Sequence, residues 1–299
     1  MAIPELQLNT WSHQGSIIQS SNTYNIIKNV LKASSTLYAG KDYKVFLQGS
    51  YGNDTNIYSE SDVDVVIRLD DIFYSDKEKL NEQEKLAYSR EFSSATYTLS
   101  KFKHDVLSVL IEQYGSAVKS GAKAITIDSN GSRRKSDVIV ACQYRKYSRF
   151  CSAEDSSYTK GICFLNSSKE RIANYPKQHS INLTTKHQKS SLWLKPMIRI
   201  FKNIRCKLIA DGKIKAGCAP SYYIEGLLYN APTDKFGKNY QTCVVNILNW
   251  YLSLSEDQKK KLVCANEEYY LLRNSSQVCW NLDDCDTFIN KAVELWTKW

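Results

Sequence analysis

The stretch VFLQGSYGNDTNIYSESDVDVVIRLD, residues 45–70, decides how this chain is read. Two apolar runs flank a loop rich in Gly, Asn and Ser, which predicts two buried strands at about 43–49 and 62–69. Asp62 and Asp64 fall inside the second run. At i and i+2 of a strand their carboxylates share one face, while Val63, Val65 and Ile67 take the other. A buried ionised carboxylate is costly unless it is paired or coordinates a metal. Arg68 offers the plain solution, a salt bridge. A divalent cation offers the sharper one, because magnesium takes one or two carboxylates and completes its shell with water and phosphate oxygens.

Two further features support the metal reading. Gly49-Ser50 closes the strand VFLQ, and so small a pair lets backbone N–H groups and a hydroxyl approach a phosphate. Taken alone it is an ordinary turn. Asp137 opens the apolar strand of RKSDVIVACQYRKY and is the candidate third carboxylate of a two-metal phosphoryl-transfer site, although it could simply end the turn SNGSRRK.

Further along, the patterning predicts an amphipathic helix within 14–38 and a helical region from 77 to 115, broken near Ser93. A strand pair comes next over 122–147, then a hairpin over 161–176. Helices then dominate, at 188–210, 220–230, 238–253, 256–264 and 285–298, after a polar, turn-like connection at 178–186. Strands first and helices later imply an α+β domain followed by a helical one. The expected division is 1–180 and 181–299, with the N-terminal helix spanning both parts.

In the second half, Lys195, Arg199 and Lys202 follow i, i+4, i+7 spacing, so three cations share one helical face. Ile198, Phe201 and Ile204 should face the core. A solvated basic face is the ordinary reading; a triphosphate ligand is the functional one. Tyr222 could stack on a base or be a partly buried helix residue. Asn174 carries both a donor and an acceptor and could read a base edge.

The 299 residues suffice for two domains, and a net charge of +9 favours polyanionic partners, nucleic acid or nucleotide phosphates. No apolar run reaches the roughly 18–20 residues that span a bilayer, and MAIPELQLNTWSHQG lacks a signal pattern, so a cytoplasmic protein is expected. The nine cysteines form no CxxC pair or Cys–His cluster, which argues against structural zinc, and most of them should be small buried hydrophobes.

QGSYGNDTN followed by SDVDVVI, with the later aspartate of SDVIVACQYR, resembles the nucleotidyltransferase superfamily with a polymerase-β-like core. The segments ERIANYPKQH, KPMIRIFKNIR and APSYYIEGLLYNAP narrow this to the bacterial cGAS/DncV-like nucleotidyltransferases (CD-NTases), clade E in particular, which are synthases of antiphage defence (CBASS). The resemblance implies an α+β fold, with a mixed-sheet nucleotidyltransferase core followed by a helical domain. It implies that Asp62, Asp64 and Asp137 are catalytic and hold two Mg²⁺ ions, with Mn²⁺ as a substitute. It further implies that Gln48, Gly49 and Ser50 bind the donor triphosphate, that Lys202 and Ser221 reach its β- and γ-phosphates, and that Tyr222 meets its base. An asparagine near position 174 is associated in the family with pyrimidine use. This favours a uridine-containing cyclic dinucleotide, such as cyclic UMP-AMP, made from ATP, UTP or GTP.

A downstream effector that senses the product is the implied partner, and a monomer is expected. The DNA-binding zinc insertion of the animal relative has no counterpart among these cysteines and histidines. Competing readings are a purine cyclic dinucleotide synthase, a template-independent transferase acting on another acceptor, and a catalytically dead nucleic-acid-binding module. The three aspartates weigh against the last.

Overall fold

The computed structural model describes residues 2–59, 62–274, 276 and 278–299. In chain order its elements begin α1 (Glu5–Ser12), α2 (Ile18–Leu31), β1 (Tyr43–Leu47), the one-turn α3 (Gly49–Gly52), β2 (Val63–Asp76), α4 (Glu82–Glu91) and α5 (Leu99–Tyr114). Then come strands β3 (Val118–Ser120), β4 (Ile125–Ile127), β5 (Ser136–Phe150), β6 (Ser156–Leu165) and β7 (Arg171–Asn174). The remainder is helical: α6 (Pro176–Lys189), α7 (Leu194–Ala210), α8 (Ser221–Asn230), α9 (Tyr240–Ser253), the short α10 (Glu256–Lys259) and α11 (Leu282–Lys298). Contacts gather the chain into two compact units, one drawn from 1–17, 49–61 and 177–299, the other from 18–48 and 62–176. The chain therefore passes between units several times instead of crossing once near residue 180. No helix among the described residues is long and apolar enough to cross a membrane.

The second unit is built on one mixed sheet. β1 pairs antiparallel with β2, β2 runs parallel to β5, and the far edge of β5 is shared by β4 and β6, with β3 and β7 outermost. Val63, Val65, Ile67, Val138, Ile125 and Ile127 are buried, as their period-2 spacing requires. α5 covers the sheet through Leu99, Phe102, Val106 and Leu110, whose 3–4-residue spacing makes one apolar stripe, and Thr98 caps its start by accepting from the Lys101 N–H. A smaller cluster of Val66, Ala141, Ile162 and Phe164 fills the opposite face.

The first unit packs its helices around Ile198, Phe201 and Ile204 of α7, the face expected from the sequence, together with Leu227, Ile247 and Phe288. α1 joins this core through Leu8, and its Glu5 carboxylate accepts from the Tyr240 and Gln241 N–H groups at 2.7 and 2.8 Å. A carboxylate there satisfies amides that the first turn of α9 leaves open and complements the helix dipole.

Three expectations are corrected. The helix expected within 14–38 is α2 (Ile18–Leu31), but it belongs wholly to the sheet unit instead of spanning both parts, while the unanticipated α1 belongs to the helical unit. The polar connection expected at 178–186 is the interior of α6. Pro176 starts that helix, and its buried side chains are His179 and Leu183, one turn apart, so it shows one apolar anchor where a stripe would announce it. The helix expected at 256–264 ends at Lys259. Most of the cysteines are buried, as expected: Cys142, Cys163, Cys218, Cys243, Cys264 and Cys285 lie inside, while Cys206 and Cys279 are half-buried and Cys151 is exposed.

Gly161 of β6 lies where a Cβ would stand 2.6 Å from the Asn174 carbonyl oxygen of β7. Gly161→Ala is expected to push β7 outward and cost about 1–3 kcal/mol of stability, measured by urea unfolding.

Candidate active site

Parallel pairing of β2 with β5 sets Asp64 directly opposite Asp137, and antiparallel pairing of β4 sets Thr126 beside Asp137. The three form a row across adjacent strands on a half-buried face, alternating with fully buried neighbours. Thr126 Oγ1 donates to Asp137 Oδ1 at 2.6 Å, and the Gln48 N–H bonds the Asp64 carbonyl at 3.1 Å. Asp62 lies one residue before β2, and its Oδ2 is 2.7 Å from Lys135 Nζ. The hydrogen bond to Asp62 raises the Lys135 pKa against the opposing effect of burial, with Asp137 adding at longer range. Arg68 is not the counter-charge: it forks onto Asp70, with Nε and Nη2 at 2.5 and 2.9 Å.

Among the described residues, no three His, Cys, Asp or Glu side chains stand together as a ready metal cage. The donor set still fits magnesium. Asp64 and Asp137 are carboxylates on neighbouring strands, and this ion needs only one or two of them besides water and phosphate oxygens. Gln48, the residue after β1, keeps its Oε1 buried without a hydrogen-bond partner among the described residues.

In the helical unit, Gly49 takes φ 65°, a left-handed backbone that favours glycine, and starts α3. The Asn53 N–H bonds the Gly49 carbonyl at 3.1 Å and the Thr55 N–H bonds the Ser50 carbonyl at 2.9 Å, closing the turn. The segment beyond the turn is packed and not open: Asn53, Thr55, Asn56 and Ile57 are buried. Gln14 Nε2 donates to Asn56 Oδ1 at 2.7 Å, and Tyr51 Oη donates to the Ser16 carbonyl at 2.7 Å. Gly15 passes so close that a Cβ would sit 2.8 Å from the Ile57 carbonyl carbon.

The three cations of α7 all grip this loop. Lys195 Nζ lies 2.9 Å from Asp54 Oδ2, and Arg199 donates to the Asp54 and Ser12 carbonyls. Lys202 is wholly buried, with Nζ 2.8 Å from Glu225 Oε1, 3.1 Å from Thr55 Oγ1 and 3.2 Å from the Thr55 carbonyl. The expectation that Lys202 contacts the β- and γ-phosphates is therefore corrected. A carboxylate four residues beyond Ser221 holds the ammonium inside the fold.

Glu225 itself is buried. It also accepts from Thr55 Oγ1, from Asn53 Nδ2 at 3.1 Å and from His179 Nε2 at 2.7 Å. Burial alone would raise its pKa, but the Lys202 charge and the hydrogen bonds outweigh that and hold it well below the carboxylate range. Sequence reasoning passed over Glu225, although the signal resembled that of Asp62 and Asp64: a carboxylate within the apolar run YYIEGLL. His179 is buried, and its Nε2 serves the Glu225 carboxylate as a structural hydrogen-bonder.

Ser221 opens α8, and its Oγ accepts from Arg205 Nη1 at 2.9 Å. Tyr222 stacks on His179 with centroids 4.8 Å apart, and its hydroxyl accepts from Asn266 Nδ2 at 2.9 Å; burial raises its pKa strongly. Asn174 ends β7, its Oδ1 accepting from the Tyr175 N–H at 2.8 Å.

Residues 181–297 match the family model described as the cGAS/DncV-like nucleotidyltransferase C-terminal helical domain, and residues 27–117 match a nucleotidyltransferase domain. The chain is 38% identical to the cyclic nucleotide synthase CdnE01 of Staphylococcus haemolyticus over the full length of both. It is 36% identical to the cyclic UMP-AMP synthase of Rhodothermus marinus, covering 100% of this chain and 99% of the other. The solved structure of Rhodothermus marinus CdnE c-UMP-AMP synthase with Apcpp and Upnpp superposes with a TM-score of 0.88 at 34% identity, covering 99% of this chain and 97% of that one. For the Elizabethkingia meningoseptica CdnE cyclic dinucleotide synthase with GTP and Apcpp, the TM-score is 0.77 at 28% identity, covering 98% of each chain.

The charge network sets two expected outcomes. Lys202→Met leaves Glu225 buried and unpaired, and is expected to cost about 3–5 kcal/mol in urea unfolding. His187, whose Nδ1 accepts from the Lys195 N–H, has its pKa lowered to about 4 by burial and by the charges of Lys195 and Arg199. Between about 6.5 and that value the unfolded chain binds the extra proton, so this group's stabilisation is full above about 6.5 and lost as pH falls toward 4. Unfolding at pH 7 and 4.5 should show wild type losing more stability than His187→Gln.

Proposed function

The chain belongs to the cGAS/DncV-like nucleotidyltransferases, and on that premise we propose that it joins two nucleoside triphosphates into a cyclic dinucleotide. The observation that carries this reading is the in-register pair Asp64–Asp137, held on neighbouring parallel strands with Asp62 two residues before Asp64. A row of carboxylates on a sheet face suits a reaction whose demand is charge stabilisation and positioning, with no protein nucleophile.

In this reading Asp62, Asp64 and Asp137 hold magnesium, with manganese as a substitute. When bound, the ions supply charge neutralisation at the triphosphate and favour ionisation of the attacking hydroxyl. Lys135 yields Asp62 to that site and remains a nearby cation. The backbone of Gly49 and Ser50 cradles the donor phosphates, with Gln48 beside them in the sequence and Ser221 as a further hydroxyl. The 3′- or 2′-hydroxyl oxygen of a second nucleotide bonds to the α-phosphorus as the bond to the β-phosphate oxygen breaks. The hydroxyl proton leaves to a carboxylate or water, and pyrophosphate departs. A second round of the same chemistry closes the ring.

We favour a uridine-containing product, such as cyclic UMP-AMP. The likeness to the Rhodothermus marinus enzyme supports this, as does Asn174, whose amide is oriented by the Tyr175 N–H. A place in antiphage signalling (CBASS), acting through an effector that senses the product in the cytoplasm, completes the proposal.

The test is incubation with all four labelled triphosphates and Mg²⁺, phosphatase treatment, and identification of the resistant product by mass. Asp64→Asn should lower product formation by roughly two to three orders of magnitude, the scale of losing one preorganised charge-stabilising group. Unchanged product in that variant would overturn the metal site. Asn174→Ser should change the ratio of uridine to purine incorporated; an unchanged ratio removes Asn174 from base selection.

A further inference from the structure

We propose that Glu225 is a positioning residue for the turn Gly49–Ser50, an assignment that rests on reading that turn as the triphosphate cradle. The connection is short and continuous within one compact unit. Glu225 Oε2 receives Asn53 Nδ2 and Oε1 receives Thr55 Oγ1. The backbone amides of these same two residues bond the Gly49 and Ser50 carbonyls. The carboxylate thus fixes both residues whose N–H groups close the turn.

Lys202 reinforces the link from the other side, bonding Glu225 Oε1 and both Thr55 oxygens. His179 Nε2 shares Oε2 with Asn53. A glycine at positive φ followed by a serine would otherwise be among the least constrained parts of the chain. Here a buried charge with directional partners restrains it, and the low-dielectric surroundings strengthen each bond. Asn53 and Thr55 are 6% and 0% exposed, so water does not compete for these bonds. Cradling a phosphate with backbone N–H groups demands fixed geometry, since a misplacement of about 1 Å can cost two orders of magnitude in rate. Glu225 touches neither substrate nor metal in this role; it acts through the turn.

Wild type is compared with Glu225→Gln, Thr55→Val and Asn53→Ala. Thr55→Val preserves the Lys202–Glu225 pair, so the proposal stays testable if Glu225→Gln fails to fold. Three quantities are measured: amide hydrogen exchange over 49–57 and over α9, KM and kcat for product formation, and affinity for an ATP analogue with a methylene between its α- and β-phosphates. The expected result is faster exchange over 49–57 by about tenfold with α9 unchanged, a KM raised about tenfold, analogue affinity lowered to match, and a smaller effect on kcat. Unaltered exchange over 49–57 in the folded variants overturns the proposal. So does faster exchange with unaltered KM and analogue affinity, which would make the network purely structural. If wild type binds the analogue but makes no product, the synthase reading falls and analogue affinity alone decides the role of Glu225. If wild type does not bind the analogue, both fall.

Discussion

The ion pair between Glu225 and Lys202 is the constraint on which the helical unit depends. Two charges removed from water are destabilising unless their geometry and remaining hydrogen bonds compensate. Here Asn53, Thr55 and His179 supply those bonds, so the pair is satisfied only when α6, α7, α8 and the 49–57 segment are all in place. A segment with few apolar side chains thereby becomes interior. Ile57 alone could not hold it; Lys195, Arg199 and Lys202 do so through its carbonyls and the Asp54 carboxylate.

The protein meets the problem of carboxylates in apolar surroundings in two ways. Glu225 is neutralised from within, permanently, by a lysine one helix away. Asp64 and Asp137 stand on a half-buried face, and the partially exposed Lys135 answers the nearby Asp62. The first arrangement is closed and serves structure. The second leaves carboxylate oxygens on a half-buried face, an arrangement that suits a hard cation, in a chain that belongs to a family of nucleotidyltransferases. The same physical rule, that buried charge must be matched, produces both.

Much of the fold and of the candidate site was legible in the sequence. Period-2 burial placed Val63, Val65 and Ile67 on one sheet face and Asp64 on the other, and helical spacing located α11, whereas the helix expected at 188–210 ran across the break at 190–193 between α6 and α7. α6 was obscured because its burial rests on His179 and Leu183, one of them polar. The basic stripe of α7 was read correctly as a stripe and wrongly in its purpose at Lys202. Spacing tells which residues share a face, but not what that face meets.

By itself the sequence determined the alternating and helical periodicities, the small Gly49-Ser50 pair that turns the chain at a strand end, and the carboxylates that an apolar strand must justify. These are local consequences of backbone sterics and side-chain polarity, and they survive without knowledge of the rest of the chain. Only the tertiary structure decided that Asp64 lies opposite Asp137, some seventy residues on, and that Lys202 answers Glu225 and Thr55 in place of a phosphate. Charge pairing depends on distance in space, and in a buried setting a single ångström-scale approach outweighs any pattern along the chain.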